Sequence, residues 1–112
     1  MRFIAVVVVA NAIAIALPSV ALAQGSQGRD PIARGRALAA EYCGACHALG
    51  QRGDSPNASA PAFRTLGDKI ELDDFARRLV RGLSSSHPDM PTFKFKPDDA
   101  RALSAYLLSI QK

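Results

Sequence analysis

Both cysteines of this 112-residue chain lie in one pentapeptide, Cys-Gly-Ala-Cys-His, at positions 43–47. A spacing of three residues puts Cys43 and Cys46 on the same face of a helical turn, and His47 follows directly. Any cysteine chemistry of this chain therefore occurs in this segment. The segment constrains the fold, because a chain this short buries only a marginal hydrophobic core and commonly needs a disulfide, a metal ion or a cofactor for stability.

The Cys-x-x-Cys-His pattern is the attachment signature of c-type haem. Two cysteines three residues apart can form thioethers with the two vinyl groups of one porphyrin, and the adjacent histidine can then bind the iron. The residues between the cysteines, a glycine and an alanine, are small enough to fit against the porphyrin edge. The pattern predicts one covalently bound haem c per chain, attached through Cys43 and Cys46, with His47 as the proximal iron ligand.

Three other uses of the two cysteines stay open at this point. A thioredoxin-type redox pair also has a Cys-x-x-Cys motif, but that motif occurs in a βαβ setting that this sequence does not predict. A structural disulfide between Cys43 and Cys46 is compatible with an exported protein. A zinc site could combine the pentapeptide with His87, although the adjacent Cys46 and His47 cannot easily bind one tetrahedral ion.

The first 23 residues have the pattern of a secretory signal peptide. Arg2 provides a positive charge, an apolar run covers residues 3–17, and Ala-Leu-Ala at 21–23 has small residues at the positions recognised for cleavage. An uncleaved anchor is the alternative, because the apolar run is close to the lower limit for spanning a bilayer. We expect export to a bacterial periplasm, with membrane contact only through a partner or an uncleaved signal.

The rest of the chain is predicted to be a short leader and one all-α domain. Residues 24–29 are polar and flexible, and residues 30–112 form the domain, since no stretch alternates polar and apolar residues as a strand does. Stretches rich in Gly, Ser, Asn or Pro at 50–61 and 84–91 are predicted loops. The formal net charge of +4 is far below what a nucleic-acid-binding surface needs, so nucleic acid is not an expected partner.

Three helices are predicted in the domain. Asp30 is a favourable N-cap and Pro31 a favourable first residue for a helix that runs to about Cys43. A second helix covers Leu72–Arg81, and a third begins near Pro97. Their predicted apolar faces are Ile32, Gly35, Leu38, Ala39 and Tyr42 on the first helix, Leu72, Phe75, Leu79 and Leu83 on the second, and Leu103, Tyr106, Leu107 and Ile110 on the third.

Residues 30–112 resemble a small class I c-type cytochrome of the bacterial periplasmic type. Gly35 lies eight residues before the first cysteine, as the glycine of the family's first helix does, and Tyr106 matches the aromatic residue of the family's last helix. The resemblance implies a small cytochrome c fold, with helices around a covalently bound haem and the first and last helices crossing at the glycine. The chain departs from the family at Ala39, where an aromatic residue is usual, and Tyr42 is the candidate to fill that space.

The resemblance also implies the remaining haem contacts. The family's distal methionine lies in a loop, followed by proline, ahead of the last helix, and Met90 matches that position. A neutral thioether ligand raises the reduction potential. His87, three residues earlier, is the rival ligand, and Pro61 resembles the proline whose carbonyl accepts a hydrogen bond from the proximal His47. Candidate walls of the haem pocket are Phe63, Leu66, Phe75, Leu79, Phe93 and Phe95.

These features predict a periplasmic one-electron carrier rather than an enzyme, because protein ligands would fill both axial positions of the iron. The expected partner is a redox protein, such as an oxidase or a dehydrogenase, with an acidic docking surface. The alternatives are a dedicated electron-accepting subunit of a periplasmic dehydrogenase or oxidase complex, and an open-site haem sensor or enzyme in which Met90 is off the iron. The basic residues expected to flank the haem are Arg52, Arg64, Arg81, Lys94 and Lys96.

Overall fold

The computed structural model describes residues 30–112 of the chain. This part of the chain contains three α-helices, α1 (Pro31–Tyr42), α2 (Phe75–Arg81) and α3 (Pro97–Ser109), and two 3-10 segments before α2, at Phe63–Asp68 and Leu72–Asp74. The predicted all-α fold is thereby confirmed. Within the same residues no helix is long and apolar enough to cross a membrane. The predicted signal peptide and leader, residues 1–29, lie outside the described residues.

The first and last helices begin at the residues that the sequence indicates. Pro31 opens α1, and the Asp30 carboxylate accepts a hydrogen bond from the backbone N–H of Ile32 at 2.9 Å. Pro97 is likewise the first residue of α3, although the residue before it, Lys96, makes no side-chain cap hydrogen bond. Two aspartates in the first turn of α3 lie near the positive end of the helix dipole, where negative charge is stabilising.

The second helix differs from its prediction at the start. Residues 72–74 form a 3-10 turn, closed by a hydrogen bond from the Phe75 N–H to the Leu72 carbonyl, and the α-helix begins at Phe75. A tighter turn of this kind is common at helix N-termini. At the other end, Gly82 has a φ of +120°, a conformation that residues with side chains rarely adopt. The glycine turns the chain out of α2 toward the loop that follows.

α1 and α3 cross in direct backbone contact at Gly35. A Cβ atom at this position would lie 1.9 Å from the carbonyl oxygen of Ala102 and 2.8 Å from the Cβ of Tyr106, so only glycine permits this approach. An ion pair between Arg34 and Asp99 joins the same two helices at the surface, with Arg34 Nε 2.7 Å from Asp99 Oδ1. The crossing implied by the family resemblance is present.

The predicted apolar stripe of α3 is buried along its whole length, from Leu103 to Ile110. The prediction for α1 was wrong at two residues. Gly35 and Ala39 are buried, but Ile32 and Tyr42 are each 44% exposed. Both lie at the ends of α1. Ile32 lies at the start of the helix, and Tyr42, at its end, lines the cavity described below and packs edge-on against Phe93 and Phe95.

Gln111, just after α3, holds the first 3-10 segment against that helix. Its side-chain oxygen accepts a hydrogen bond from the Gly67 N–H, and its side-chain nitrogen donates to the carbonyls of Phe63 and Leu107, each over 2.8 Å. Phe63 and Leu66 of this segment belong to the core. The same two side chains also form part of the cavity described next.

Candidate cofactor site

The Cys-Gly-Ala-Cys-His pentapeptide forms a turn at the C-terminal end of α1. The Cys43 N–H still donates to the Ala39 carbonyl at 2.8 Å, so the turn continues directly from the helix. The N–H groups of Cys46 and His47 then donate to the Cys43 carbonyl at 3.2 and 2.9 Å. Both cysteines line one cavity, as a spacing of three residues predicts.

The two thiols are free and half-buried. Burial raises the pKa of the Cys43 thiol to about 11. Redox-active cysteines of the thioredoxin type instead have a lowered pKa, so Cys43 lacks the electrostatics of that class. Within residues 30–112, no three His, Cys, Asp or Glu side chains come together in a group that could hold a metal ion. The disulfide, redox-pair and zinc interpretations therefore gain no support.

A hydrogen bond to a backbone carbonyl orients the His47 ring. Its Nδ1 lies 2.7 Å from the carbonyl oxygen of Pro61, the contact that the sequence leads one to expect. A carbonyl oxygen only accepts, so Nδ1 carries the proton and donates it. In a neutral imidazole the other nitrogen, Nε2, then keeps its lone pair, which is the form that binds a metal ion.

Hydrogen bonds hold the loop between the pentapeptide and the first 3-10 segment in place. The Asn57 N–H donates to the Cys46 carbonyl at 3.1 Å, and the Ala48 N–H donates to the Ser55 hydroxyl at 3.0 Å. The Phe63 N–H donates to the Ala48 carbonyl at 2.9 Å. These bonds fix the course of the loop, and with it the proline carbonyl that orients the histidine.

A second loop, residues 84–92, carries the two candidate distal ligands. Its ends are joined by backbone hydrogen bonds of 2.7 and 2.9 Å between Leu83 and Phe93. Met90 is half-buried and packs against the core, whereas His87 is exposed. This pairing of its two ends limits the positions that the loop can adopt and keeps it beside the cavity.

The pentapeptide, the two loops and α2 enclose a cavity of about 360 Å³. This volume lies within the range of cofactor and ligand pockets, roughly 300–1,000 Å³. The cavity is lined by all the site residues predicted from the sequence and by the rival ligand: Cys43, Cys46, His47, Pro61, Met90 and His87. Its largely apolar wall includes the six predicted wall residues: Phe63, Leu66, Phe75, Leu79, Phe93 and Phe95. Two free thiols, an imidazole with an available lone pair and a wide apolar wall together fit a covalently attached haem.

The cavity is also lined by two basic residues that were not among the candidates from the sequence. Lys69 follows the first 3-10 segment, and Arg78 lies on α2 between the core residues Phe75 and Leu79. The apolar stripe of a helix does not distinguish an arginine beside it from any other polar residue. The signal available in the sequence was the position of Arg78, three residues after one wall residue and directly before another.

The predicted basic residues are not part of the cavity lining. Within the described residues, none of the five lines the cavity itself. Arg64 is half-buried, and Arg81 pairs with Asp74 at 3.6 Å. Arg52, Lys94 and Lys96 are exposed.

Comparison with known families agrees with this geometry. The family model for Cytochrome c matches residues 32–111, and the chain therefore belongs to the cytochrome c family. No curated protein and no solved structure gives a significant match to it. Membership of this family means covalently attached haem c with its iron, for which Cys43 and Cys46 are in place, and haem-based electron transfer. A domain of this family is typically an electron carrier.

Proposed function

We propose that this protein is a one-electron carrier with a single haem c, bound axially by His47 and Met90 and exported to a bacterial periplasm. The observation that carries the proposal is the shared cavity, in which the His47 ring keeps Nε2 available and a half-buried methionine is also present. When bound, the haem supplies one-electron chemistry by cycling between ferric and ferrous iron. Export rests on the signal-peptide pattern of residues 1–23.

The hydrogen bonds of the two histidines favour Met90 over His87 as the second ligand. The Nδ1 of His87 accepts a hydrogen bond from the Asp89 N–H at 3.4 Å. In a neutral ring the proton is then on Nε2, which has no lone pair left for a metal ion. To bind the iron, His87 would have to change its tautomer or give up the hydrogen bond from the Asp89 N–H, and it would have to leave solvent. The thioether of Met90 needs neither change.

The chain's own contribution to electron transfer is to keep its ligands in place and to keep water out. The carbonyl of Pro61 holds the His47 ring, and the hydrogen bonds between Leu83 and Phe93 limit the movement of the loop that carries Met90. The mostly apolar wall lowers the number of solvent dipoles that must reorient when charge changes. Fixed ligands and an apolar pocket are the features that a rapid, reversible carrier requires.

Replacing Met90 with alanine tests this ligand assignment. Loss of the thioether is expected to abolish the methionine–ferric iron charge-transfer band and to lower the reduction potential, because methionine ligation favours ferrous iron. The variant is also expected to bind carbon monoxide rapidly in the ferrous state, since the sixth position becomes open. Absorption spectra of the oxidised, reduced and carbon-monoxide-treated protein measure the band and the carbon monoxide binding, and a spectroelectrochemical titration measures the potential.

His87→Gln is the matched control, three residues away in the same loop. It is expected to keep the spectrum and the potential of the wild type. If His87→Gln loses the low-spin spectrum while Met90→Ala keeps it, the iron is bound by two histidines. If the wild type itself binds carbon monoxide rapidly, the site is open and the sensor or enzyme interpretation replaces the carrier.

We further propose that the partner is a redox protein, an oxidase or a dehydrogenase, with an acidic surface. The short extended segment before α3 alternates: Phe93 and Phe95 line the cavity, while Lys94 and Lys96 are exposed. Positive charge is thus displayed on the outer side of a segment whose inner side belongs to the cofactor pocket. Such a rim steers an acidic partner to the place where electrons enter and leave.

Electron exchange with an acidic redox partner is therefore expected to slow as salt is added, because salt screens the attraction between the two surfaces. Replacing Lys94 and Lys96 together with glutamine is expected to lower the rate at low salt and to flatten its salt dependence. Replacing Arg36 and Lys112, whose neighbours in the chain do not line the cavity, removes the same charge and is expected to have a smaller effect. Stopped-flow kinetics measure the rates, and equal slowing by the two double variants would exclude a localised docking rim.

A further inference from the structure

The side chain of Gln111 is a polar link between the end of α3 and the first 3-10 segment. Its nitrogen donates to the carbonyls of Phe63 and Leu107, and its oxygen accepts from the Gly67 N–H. Only one orientation of the amide fits, because a flipped group would place its oxygen against two carbonyl oxygens. Phe63 and Leu107 are buried, so their carbonyls would be costly to leave without a partner. The link therefore has a defined geometry.

Phe63, the first residue of the 3-10 segment, is held from two sides. Its carbonyl accepts the hydrogen bond from Gln111, and its N–H donates to the Ala48 carbonyl at 2.9 Å. Its ring packs against the ring of His47, with centroids 5.2 Å apart and planes inclined by 50°. Phe63 thus connects the end of α3 to the histidine that is proposed to bind the iron.

The carbonyl of Pro61, which orients the His47 ring, depends on its neighbours in the chain for its position. A proline has no N–H with which to anchor itself. Among the described residues, the Pro61 carbonyl has the His47 ring as its hydrogen-bond partner. On one side the Ala60 N–H donates to the Asn57 carbonyl at 3.0 Å, and on the other side Phe63 follows two residues later. A displacement of Phe63 would therefore move the carbonyl as well.

We propose that Gln111 is a positioning residue that, through Phe63, fixes the hydrogen bond of the His47 ring. The proposal rests on the iron ligation by His47 proposed above. A hydrogen bond from one ring nitrogen raises the basicity of the other nitrogen, which binds the metal. A more basic ligand donates more charge to the iron and favours the ferric state. Gln111 therefore keeps the reduction potential lower than a loosely held carbonyl would allow.

Gln111→Met tests the proposal by NMR of the His47 Nδ1 proton in the low-spin ferrous holoprotein, which is diamagnetic. The variant keeps the length of the side chain and removes its hydrogen bonds. The hydrogen bond of the histidine is expected to weaken, so its proton resonance moves upfield. Its exchange with solvent is expected to become about tenfold faster relative to the backbone amides of α1, the equivalent of about one hydrogen bond. The potential, measured by spectroelectrochemistry, is expected to rise.

Ser109→Ala is the matched control at the same end of α3. It removes a hydroxyl whose hydrogen bond, to the Tyr106 carbonyl, stays within the helix. This variant is expected to keep the wild-type resonance, relative exchange and potential. Gln111→Glu, ionised at neutral pH, keeps an acceptor for the Gly67 N–H but has no donor for Phe63. It is expected to show the same upfield shift and faster exchange, and it replaces Gln111→Met if that variant does not take up haem.

A wild-type resonance and relative exchange in both Gln111 variants would overturn the assignment, and so would an equal change in Ser109→Ala. If the His47 proton exchanges faster only in step with the amides of α1, Gln111 has a purely structural role and the assignment is likewise wrong. None of these results affects the carrier function, which is tested separately by the methionine–iron band and the reversible couple of the wild type.

Discussion

Replacing Gly35 with alanine is expected to destabilise the holoprotein by about 2 kcal/mol or more, a large part of the stability of a small domain. The added methyl group would lie 1.9 Å from the Ala102 carbonyl oxygen, less than any non-bonded contact allows. Overpacking a tight contact typically costs about 1–3 kcal/mol and occasionally more, and a clash with backbone belongs at the upper end of that range. The better helix propensity of alanine returns only about 1 kcal/mol. The clash therefore dominates, and α1 and α3 have to separate.

Guanidinium unfolding of the ferric protein, followed by circular dichroism and by the haem absorbance, measures this loss. Gly50→Ala is the matched control, because no atom lies within 4 Å of the position of its added Cβ and its φ is negative. It is expected to change stability by less than about 0.5 kcal/mol. The absorbance is expected to respond as well, because α1 leads directly into the pentapeptide and Leu103 of α3 lines the cavity. A Gly35→Ala protein as stable as Gly50→Ala would mean that the helices do not cross this closely in solution.

Removing both thioether cysteines is expected to have the largest effect of any change in this protein. The double variant Cys43→Ser, Cys46→Ser cannot attach haem covalently, and the cavity of about 360 Å³ then loses its apolar filler. At about 24 cal/mol per Å³ of cavity, the loss is at most roughly 9 kcal/mol, since solvent and collapse fill part of the space. A domain of this size has little more stability than that. We expect a chain with little stable tertiary structure.

Thermal unfolding followed by circular dichroism tests this expectation, and a cooperative transition in the double variant would contradict it. Two controls separate loss of haem from the substitutions themselves. The unaltered chain, produced without haem attachment, is expected to be as poorly folded as the double variant. Each single variant, Cys43→Ser or Cys46→Ser, keeps one thioether and is expected to keep haem and a cooperative transition of lower midpoint.

Local sequence signals predicted the attachment motif and the helices well, because both depend on residues close together in the chain. The Cys-x-x-Cys-His spacing acts within one turn, and the Asp30 cap and Pro97 mark helix starts through bonds within a few residues. The sequence did not predict the 3-10 segment Phe63–Asp68. The helix boundary that it missed, the 3-10 turn before Phe75, is also a local detail. A 3-10 turn and an α-helical turn differ only in whether the hydrogen bond spans three residues or four, and amino-acid composition does not distinguish the two.

The sequence by itself determined that this chain has an all-α fold with a haem-attachment turn, and the tertiary structure decided which distant groups serve that turn. The exposure of Ile32 and Tyr42 depends on where α1 meets α3 and the cavity, and helical periodicity carries no information about that. The place of Arg78 in the cavity lining likewise became visible only in the folded chain, where Asp74 bonds to the two neighbouring arginines of α2. An arginine beside an apolar stripe is ordinary in a sequence. Its burial, and the absence of a counter-charge within reach among the described residues, are properties of the packed chain, because both depend on segments that meet only after folding.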